Sequence, residues 1–566
     1  LIHFFSSNDN NGITQLNEVT GAHGASQINN ATLLQSLDLL NGCDESGDGT
    51  NDPIQCDIGN VDNELDLMTQ TNTATSSPLA DISHNNQIAG ADGQPGVIQT
   101  ITGTNDCDET GPGDNLARCD IFSTDNQQSF HPSSITQDND VLAADDATVV
   151  SQDNGAAIIQ AVTAVNDCDE SSTSTGDNQA SCQVETIFLV NVLGLTDQSN
   201  TAEALDFSEI HQDNNRAITQ GLVVVNDCDG TDGNQATCFN NGNVDPSDFD
   251  PSYVNGIGSK TQSNEAHLSS DALSEQFNEL AVSQDASLLN TCDETEDGLN
   301  DAFCANNDIL NFIGPLTQTS SNTAGAQTVG ATVAQSNDAA ITQNLATVND
   351  CDESGAGDNL ALCENQASNN IDFITQSNTA DVADDFDQNN LLSMNQDIQA
   401  TNDCDDVDVE EGGNNGNGVN EFFCNNDIFN TVGPVSQSNT ATGTEVTDIS
   451  QNNDITSMNQ EIVANNDCDQ FGPGDNLAFC TISATNDIDQ VTQSNDATGD
   501  QFTDFFQDNN AAYSQTIDMS NDCDESTFVV TSQSNGAGCF RIDVSIDEQN
   551  FIGPVDQTNT ATGQFD

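Results

Sequence analysis

Cysteines and carboxylates meet in one short segment that recurs along the chain. It reads Asn105-Asp-Cys-Asp-Glu-Thr-Gly-Pro-Gly-Asp-Asn-Leu-Ala-Arg-Cys119, with near copies at Asn349–Cys363 and Asn466–Cys480. The leading cysteines are Cys43, Cys107, Cys168, Cys228, Cys292, Cys351, Cys404, Cys468 and Cys523, and their spacing runs from 53 to 64 residues. Each is followed 10 to 20 residues on by a second: Cys56, Cys119, Cys182, Cys238, Cys304, Cys363, Cys424, Cys480 and Cys539. Two thiols so close predict a disulfide inside each segment, worth ~2–4 kcal/mol in simple chain-entropy terms. The competing arrangement is a ladder of disulfides joining neighbouring units, because spacing does not determine connectivity.

The carboxylates in these segments suggest a hard cation. Calcium takes several carboxylate and carbonyl oxygens on a loop bent by glycine. Asp106, Asp108, Glu109 and Asp114 supply such oxygens, with Gly111 and Gly113 at the bend; Asp350, Asp352, Glu353 and Asp358 are their counterparts, as are Asp467, Asp469 and Asp475. Calcium is therefore the candidate ligand, although the spacing is not that of an EF-hand. The plainer reading is a solvated acidic turn, where Asn, Asp and Gly belong anyway. Zinc fits poorly, with two cysteines per unit and six His in the whole chain.

Catalytic groupings are missing from the sequence. His3, His23, His84, His131, His211 and His267 do not recur at one place in the unit, and no nucleophile stands beside a base. Carboxylate pairs repeated in every unit look like surface or cation ligands, whereas a glycosidase needs one special pair. The chain reads as a protein that is not an enzyme. Its net charge is -89, with Arg118, Arg216, Lys260 and Arg541 as the basic residues. That excludes nucleic acid and anionic membrane surfaces as partners. It also demands screening by salt or divalent cations. No apolar run approaches the ~20 residues of a membrane-spanning helix. The chain opens on Leu1, which implies a removed export signal, and paired cysteines in so polar a chain imply an oxidising compartment. The expected location is secreted, extracellular or at the cell surface.

Such segments need elements that present them at a constant interval. Two further signatures share the period. One is Thr-Gln-Ser-Asn-Thr-Ala or close to it, at Gln70–Ala74, Gln198–Ala202, Gln376–Ala380, Gln437–Ala441, Gln493–Ala497 and Gln557–Ala561. The other is Gln-Asp-Asn-Asn or a relative followed by a short apolar stretch and another Gln, at Gln152–Gln160, Gln335–Gln343 and Gln507–Gln515. With period two, Gln152, Asn154, Ala156, Ile158 and Gln160 fall on one face of a strand. So do Gln335, Asn337 and Gln343, Gln376 and Asn378, and Gln507, Asn509 and Gln515. A buried amide is costly unless hydrogen-bonded. Coils stacked ~4.8 Å apart remove the cost, because each amide bonds its copies above and below.

The spacing Gln-x-Asn-x-Ala-x-x-x-Gln at Gln152/Asn154/Ala156/Gln160, Gln335/Asn337/Ala339/Gln343, Gln507/Asn509/Ala511/Gln515 and Gln27/Asn29/Ala31/Gln35 resembles the repeats of curlins, the subunits of bacterial curli fibres. The resemblance implies a β-solenoid that polymerises into extracellular fibres.

The expected fold is all-β: an elongated repeat β-solenoid with Asn/Gln ladders, about nine units of roughly 60 residues. Residues 1–30 read as an N-terminal partial repeat and possible assembly strand, 31–549 as tandem solenoid repeats each with a cysteine loop, and 550–566 as a C-terminal partial repeat and possible assembly end. Phe4-Phe5 followed by Asn10-Asn11 and Gln15 looks like Phe505-Phe506 followed by Asn509-Asn510 and Gln515, as if one chain could run on into the next. With no polar capping repeat evident, the expected function is an extracellular structural protein that polymerises with itself, head to tail, into a fibre or matrix. The alternatives are a cell-surface adhesin or surface-layer protein, and an ice- or mineral-binding solenoid using Thr375, Thr379, Thr440 and Thr560.

Overall fold

Period-two alternation is the local rule that builds this molecule. Across the strand Val149–Asp167 every second side chain from Val150 to Asn166 is buried, and those between face outward. The buried set holds Val150, then Gln152 and Asn154, then Ala156 and Ile158, then Gln160, Val162, Ala164 and Asn166. Apolar steps and amide steps thus alternate along one strand. A lone strand of this kind could not bury its amides; a stack of copies can.

The computed structural model describes residues 2–563 apart from a number of segments, the longest of which are 123–133, 242–254, 408–418 and 527–545. Among the described residues every regular element is a strand. The strands form four parallel sheets of twelve, ten, eleven and nine strands, here called A, B, C and D. One turn of the chain visits all four in order. In one such coil Leu116–Phe122 lies in A, Ile135–Leu142 in B, Val149–Asp167 in C and Glu170–Ser172 in D. The next coil repeats the sequence of sheets from Gln179–Glu185 onward, so one repeat unit is one coil. Register is kept from coil to coil, with shifts only after Leu392 and Ile455 in this column of strands: Gln152 pairs with Gln212, Gln212 with Gln276, and so on through Gln335, Gln388, Gln451 and Gln507. The fold is the elongated β-solenoid expected.

The interior divides into columns along the stack. Three are aliphatic and are represented by Ile158, Leu280 and Ile341, by Val162, Leu222 and Ile398, and by Val150, Ile210 and Ile449. A fourth is made largely of cysteine. Walls of Asn and Gln separate them, buried as fully as the aliphatics.

Two expectations about the chain ends meet the structure differently. The likeness between Phe4–Gln15 and Phe505–Gln515 is not structural. Ile2–Asn10 lies in sheet A against Ile54–Leu65, and Gln15 lies in sheet B over Gln70. Phe505 and Gln515 both belong to sheet C, over Ile449 and Gln460. The two stretches share residue types, but a column is defined by its partner strand, and Gln15 falls in phase with the Gln70–Ala74 signature. Residues 2–30 pair within their own chain, with Ile54–Leu65, Met68–Ser76 and Ile82–Ile88. At the other end, the strand Ile546–Ile552 runs through position 549/550 without a break.

Candidate assembly surface and its ladders

A carboxamide has two N–H donors and one oxygen with two lone pairs, so burial requires partners for all of them. The stack supplies them. Asn154 donates from Nδ2 to Asn214 Oδ1 at 3.0 Å in the following coil, to Asn200 Oδ1 at 3.0 Å and to the Ser199 carbonyl at 3.0 Å. Its Oδ1 accepts from Asn86 at 3.0 Å and from Asn139 at 2.9 Å. Gln160 donates to Gln99 at 2.8 Å and accepts from Gln220 at 2.8 Å. Gln152 accepts from Gln212 at 2.8 Å. Gln335, Gln343 and Gln376 donate to Gln276, Gln284 and Gln318 at 2.8–2.9 Å, and Asn337 and Asn378 donate to Asn390 and Asn439 at 2.9–3.0 Å. In the last coil Gln507, Gln515 and Asn509 bond Gln451, Gln460 and Asn559 at 2.7–2.8 Å. Gln27 is the exception among the amides singled out from the sequence: His84 stands in its column in the next coil, and its Nε2 donates to the Thr73 carbonyl at 3.4 Å.

The ladders have direction. Along each interior Gln column the amide nitrogen donates to the preceding coil, as in Gln557→Gln493→Gln437→Gln376. Along each interior Asn column it donates to the following coil, as in Asn378→Asn439→Asn495→Asn559. The two sets of side-chain dipoles therefore oppose one another along the axis.

Direction makes the two faces of a coil complementary. Gln15 Nε2 donates to the Asn30 carbonyl at 2.9 Å, and Asn17 Nδ2 donates to Asn72 Oδ1 in the following coil at 3.0 Å. Gln557 Nε2 donates to Gln493 Oε1 in the preceding coil at 2.7 Å, and Gln557 and Asn559 are exposed. One face of a coil thus offers a Gln donor and an Asn acceptor, and the other a Gln acceptor and an Asn donor.

Further ladders escaped the reading of the sequence. Asn105, Asn166, Asn226, Asn290 and Asn349 form a column with links of 2.9–3.1 Å. Asn191, Asn255, Asn311, Asn369 and Asn430 form another, at 2.9–3.1 Å. The first was visible in the recurring Asn-Asp-Cys-Asp, whose Asn stands two places before Cys and so shares its face. The second lies at no constant distance from its cysteine: Asn311, Asn369 and Asn430 stand 7, 6 and 6 places after theirs, but Asn191 and Asn255 stand 9 and 17 places after, which hides the register.

The cysteines form two facing columns. Cys119, Cys182, Cys238, Cys304, Cys363, Cys424 and Cys480 stand in register in sheet A, while Cys107, Cys168, Cys228, Cys292, Cys351 and Cys404 follow the strands of sheet C. The disulfides are Cys182–Cys228, Cys238–Cys292, Cys304–Cys351 and Cys363–Cys404, with Cα separations of 6.3–6.9 Å. Cys168 and Cys480 are disulfide-bonded as well. This corrects the expected bond within each segment: the second cysteine of one unit bonds the first cysteine of the next. The reason is the stack. Cys292 has sulfurs on both sides, Cys238 and Cys304, all three within 4.8 Å of one another, so nearness in sequence gives its own unit no advantage. Cys43, Cys468, Cys523 and Cys539 lie outside the described residues, as do the side chains of Cys56 and Cys119.

Proteolysis without reduction should release the linked pairs Cys182–Cys228 and Cys304–Cys351, read by mass spectrometry; linked Cys292–Cys304 in their place would contradict the structure. Each such bond closes 41 to 54 residues, a loop for which chain entropy predicts about 4 kcal/mol.

The cation candidates are only partly described. Asp106, Asp350 and Asp467 stand in one column with Asp167, Asp227 and Asp403, at one position per coil. Asp352 is half-buried. Asp108, Asp114 and Asp469, and the side chains of Glu109, Glu353, Asp358 and Asp475, lie outside the described residues. Among the described residues the ligand trios that converge are of cysteine, Cys238/Cys292/Cys304 and Cys363/Cys404/Cys424. Thr379 and Thr440 are neighbours, but their column continues through Asp496 before Thr560, so acid interrupts the hydroxyls.

Compared with known protein families, curated proteins and solved structures, the chain matches none. No helix among the described residues is long and apolar enough to cross a membrane.

Proposed function

We propose that this chain is the subunit of an extracellular structural filament that grows by stacking coil on coil, head to tail. The observation that carries the reading is the opposed direction of the Gln and Asn ladders. Two copies stacked head to tail would continue both ladders, Gln donor on Gln acceptor and Asn donor on Asn acceptor; between the outermost described coils that sets Gln557 and Asn559 of one copy against Gln15 and Asn17 of the other. Stacked head to head, donor would meet donor and acceptor meet acceptor. The contact is heterologous and does not close, so it propagates. Strand edges meeting at such a junction would add backbone hydrogen bonds to it. Disulfides between successive coils staple each subunit along the axis and fit an oxidising, extracellular setting. Repulsion from the net charge of -89 must be screened for growth, and calcium along the aspartate column is one means.

Electron microscopy of the purified chain should show unbranched filaments, formed at lower protein concentration as salt or calcium rises. Gln557→Leu with Asn559→Leu removes two exposed amides from one end only. The critical concentration should then rise about tenfold or more, since hydrogen bonds contribute ~0.5–1.5 kcal/mol each and 1.4 kcal/mol is tenfold. A chain that stays monomeric in sedimentation at every salt concentration, or a variant that assembles as readily as the parent, would rule the reading out.

A further inference from the structure

Two of the four basic residues of this acidic chain are in its driest region. Lys260 occupies a column that otherwise runs Met68, Ile135, Thr196, Leu316 and Ile374. Arg216 occupies one that runs Ile88, Ala156, Leu280 and Ala339. Thr196, Arg216 and Lys260 are all 0% exposed, in the midst of the cluster of Ile135, Leu193, Ile257 and Leu316.

Both cations reach the same bend. Arg216 Nη1 donates to the Thr196 carbonyl at 3.2 Å and to its hydroxyl. Lys260 Nζ donates to the Gly194 carbonyl at 2.9 Å. Those bonds do not exhaust the donors: Arg216 Nε and Nη2 are buried with no partner. Among the described residues no carboxylate comes inside to meet them. Asp197 acts on Arg216 electrostatically, but it follows Thr196 in an alternating strand and lies half-buried on the outward face. Two like charges in an aliphatic interior, with N–H groups left over, lack a counter-charge that accepts hydrogen bonds.

We propose that Arg216 and Lys260 hold a buried monovalent anion, a halide, enclosed as the chain folds. A halide is a spherical acceptor that takes N–H groups from several directions, carries no donor of its own and cancels one of the two charges. A carboxylate or phosphate would bring further oxygens that the aliphatic neighbours Leu193 and Ile257 could not satisfy. Because both cations are fully buried, exchange requires the coils to part, so the ion is captured at folding and released slowly. The rival arrangement is a neutral Lys260 amine whose lone pair accepts from Arg216, since burial and the neighbouring guanidinium both push Lys260 below the ordinary lysine range; a bound halide opposes that shift, and the rival retains no bromide.

The test is to refold the full chain with bromide as the sole halide, remove external salt, and measure bromine by X-ray fluorescence. About one bromide per chain should be retained. Arg216→Leu with Lys260→Leu, which installs the residue type of the following coil (Leu280 and Leu316), should retain none. The parent refolded in bromide should melt above the parent refolded in sulfate, and the variant should show no such difference. Should the variant fail to fold, anomalous scattering from crystals of the bromide-refolded parent decides the matter, with a peak expected between the two side chains. Absence of retained bromide, a peak elsewhere, or equal retention by a folded variant overturns the proposal.

Discussion

Asn337→Asp should destabilise the stack by roughly 3–5 kcal/mol at neutral pH, the usual cost of leaving a buried charge without a partner. The substitution changes almost no volume. Asn337 is 0% exposed and donates to Asn390 Oδ1 at 2.9 Å, Asn378 Oδ1 at 3.0 Å and the Ser377 carbonyl at 3.2 Å. As Asp it would set a carboxylate oxygen against three acceptors. The new group escapes by staying protonated, so its loss should be smallest below pH ~4, near the ordinary Asp value, and grow as the pH rises. Asn395→Asp is the control. It lies on the outward face of the adjacent coil, where substitutions usually stay within ~0.5 kcal/mol. Amide hydrogen exchange over Thr332–Asp350 and Asp385–Asp403 reads the effect locally, as repeat arrays need not unfold in one step. Equal exchange in the two variants would mean that the amide wall carries no structural weight. A milder Asn337→Ser is expected, since the chain already tolerates Ser320 at an Asn position. There Asn278 Nδ2 reaches Ser320 Oγ at 3.2 Å.

The second large effect is that the folded chain should gain stability on mild acidification. Asp213 is pushed up to about 6, first by burial between strands and then by Asp153 and Glu279. Burial likewise raises Asp140, Asp153, Asp197, Asp227, Asp338, Asp350, Asp427 and Asp487. A carboxyl raised in the folded state binds its proton more tightly there than in the unfolded chain. Its contribution is complete below the unfolded value near 4 and is lost as pH rises through the folded value, about 6 for Asp213. His84 opposes this. Burial lowers it to about 4, so its contribution is present above the ordinary value near 6.5 and lost as pH falls toward 4. One imidazole stands against a set of carboxyls, and the carboxyls prevail. The denaturant midpoint should therefore rise between pH 7.5 and pH 4.5. A falling midpoint over that window would show that these carboxyls are not held between the strands as described.

Much of the fold was legible because its rule is local. Gln152, Asn154, Ala156, Ile158 and Gln160 declare one strand face by spacing alone, and their recurrence declares a stack. The same logic could have reached Arg216. It stands two places after Asn214, at the phase of Ala156, and so must point inward. What spacing hides is compensation between coils. Asn322 is displaced by two residues from the usual Asn position, and it finds Ser274, which replaces the aliphatic of its own column and donates to Asn322 Oδ1 at 2.8 Å. Neither residue makes sense by itself.

Alternation, period and the amides that must be buried were thus determined by the order of residues, because each depends on neighbours along one strand. Disulfide pairing and ladder direction were decided only by the tertiary structure. A cysteine with sulfurs on both sides, or an amide with copies above and below, faces two equivalent choices within its own segment. Only the assembled stack, in which each choice constrains the next coil, selects one.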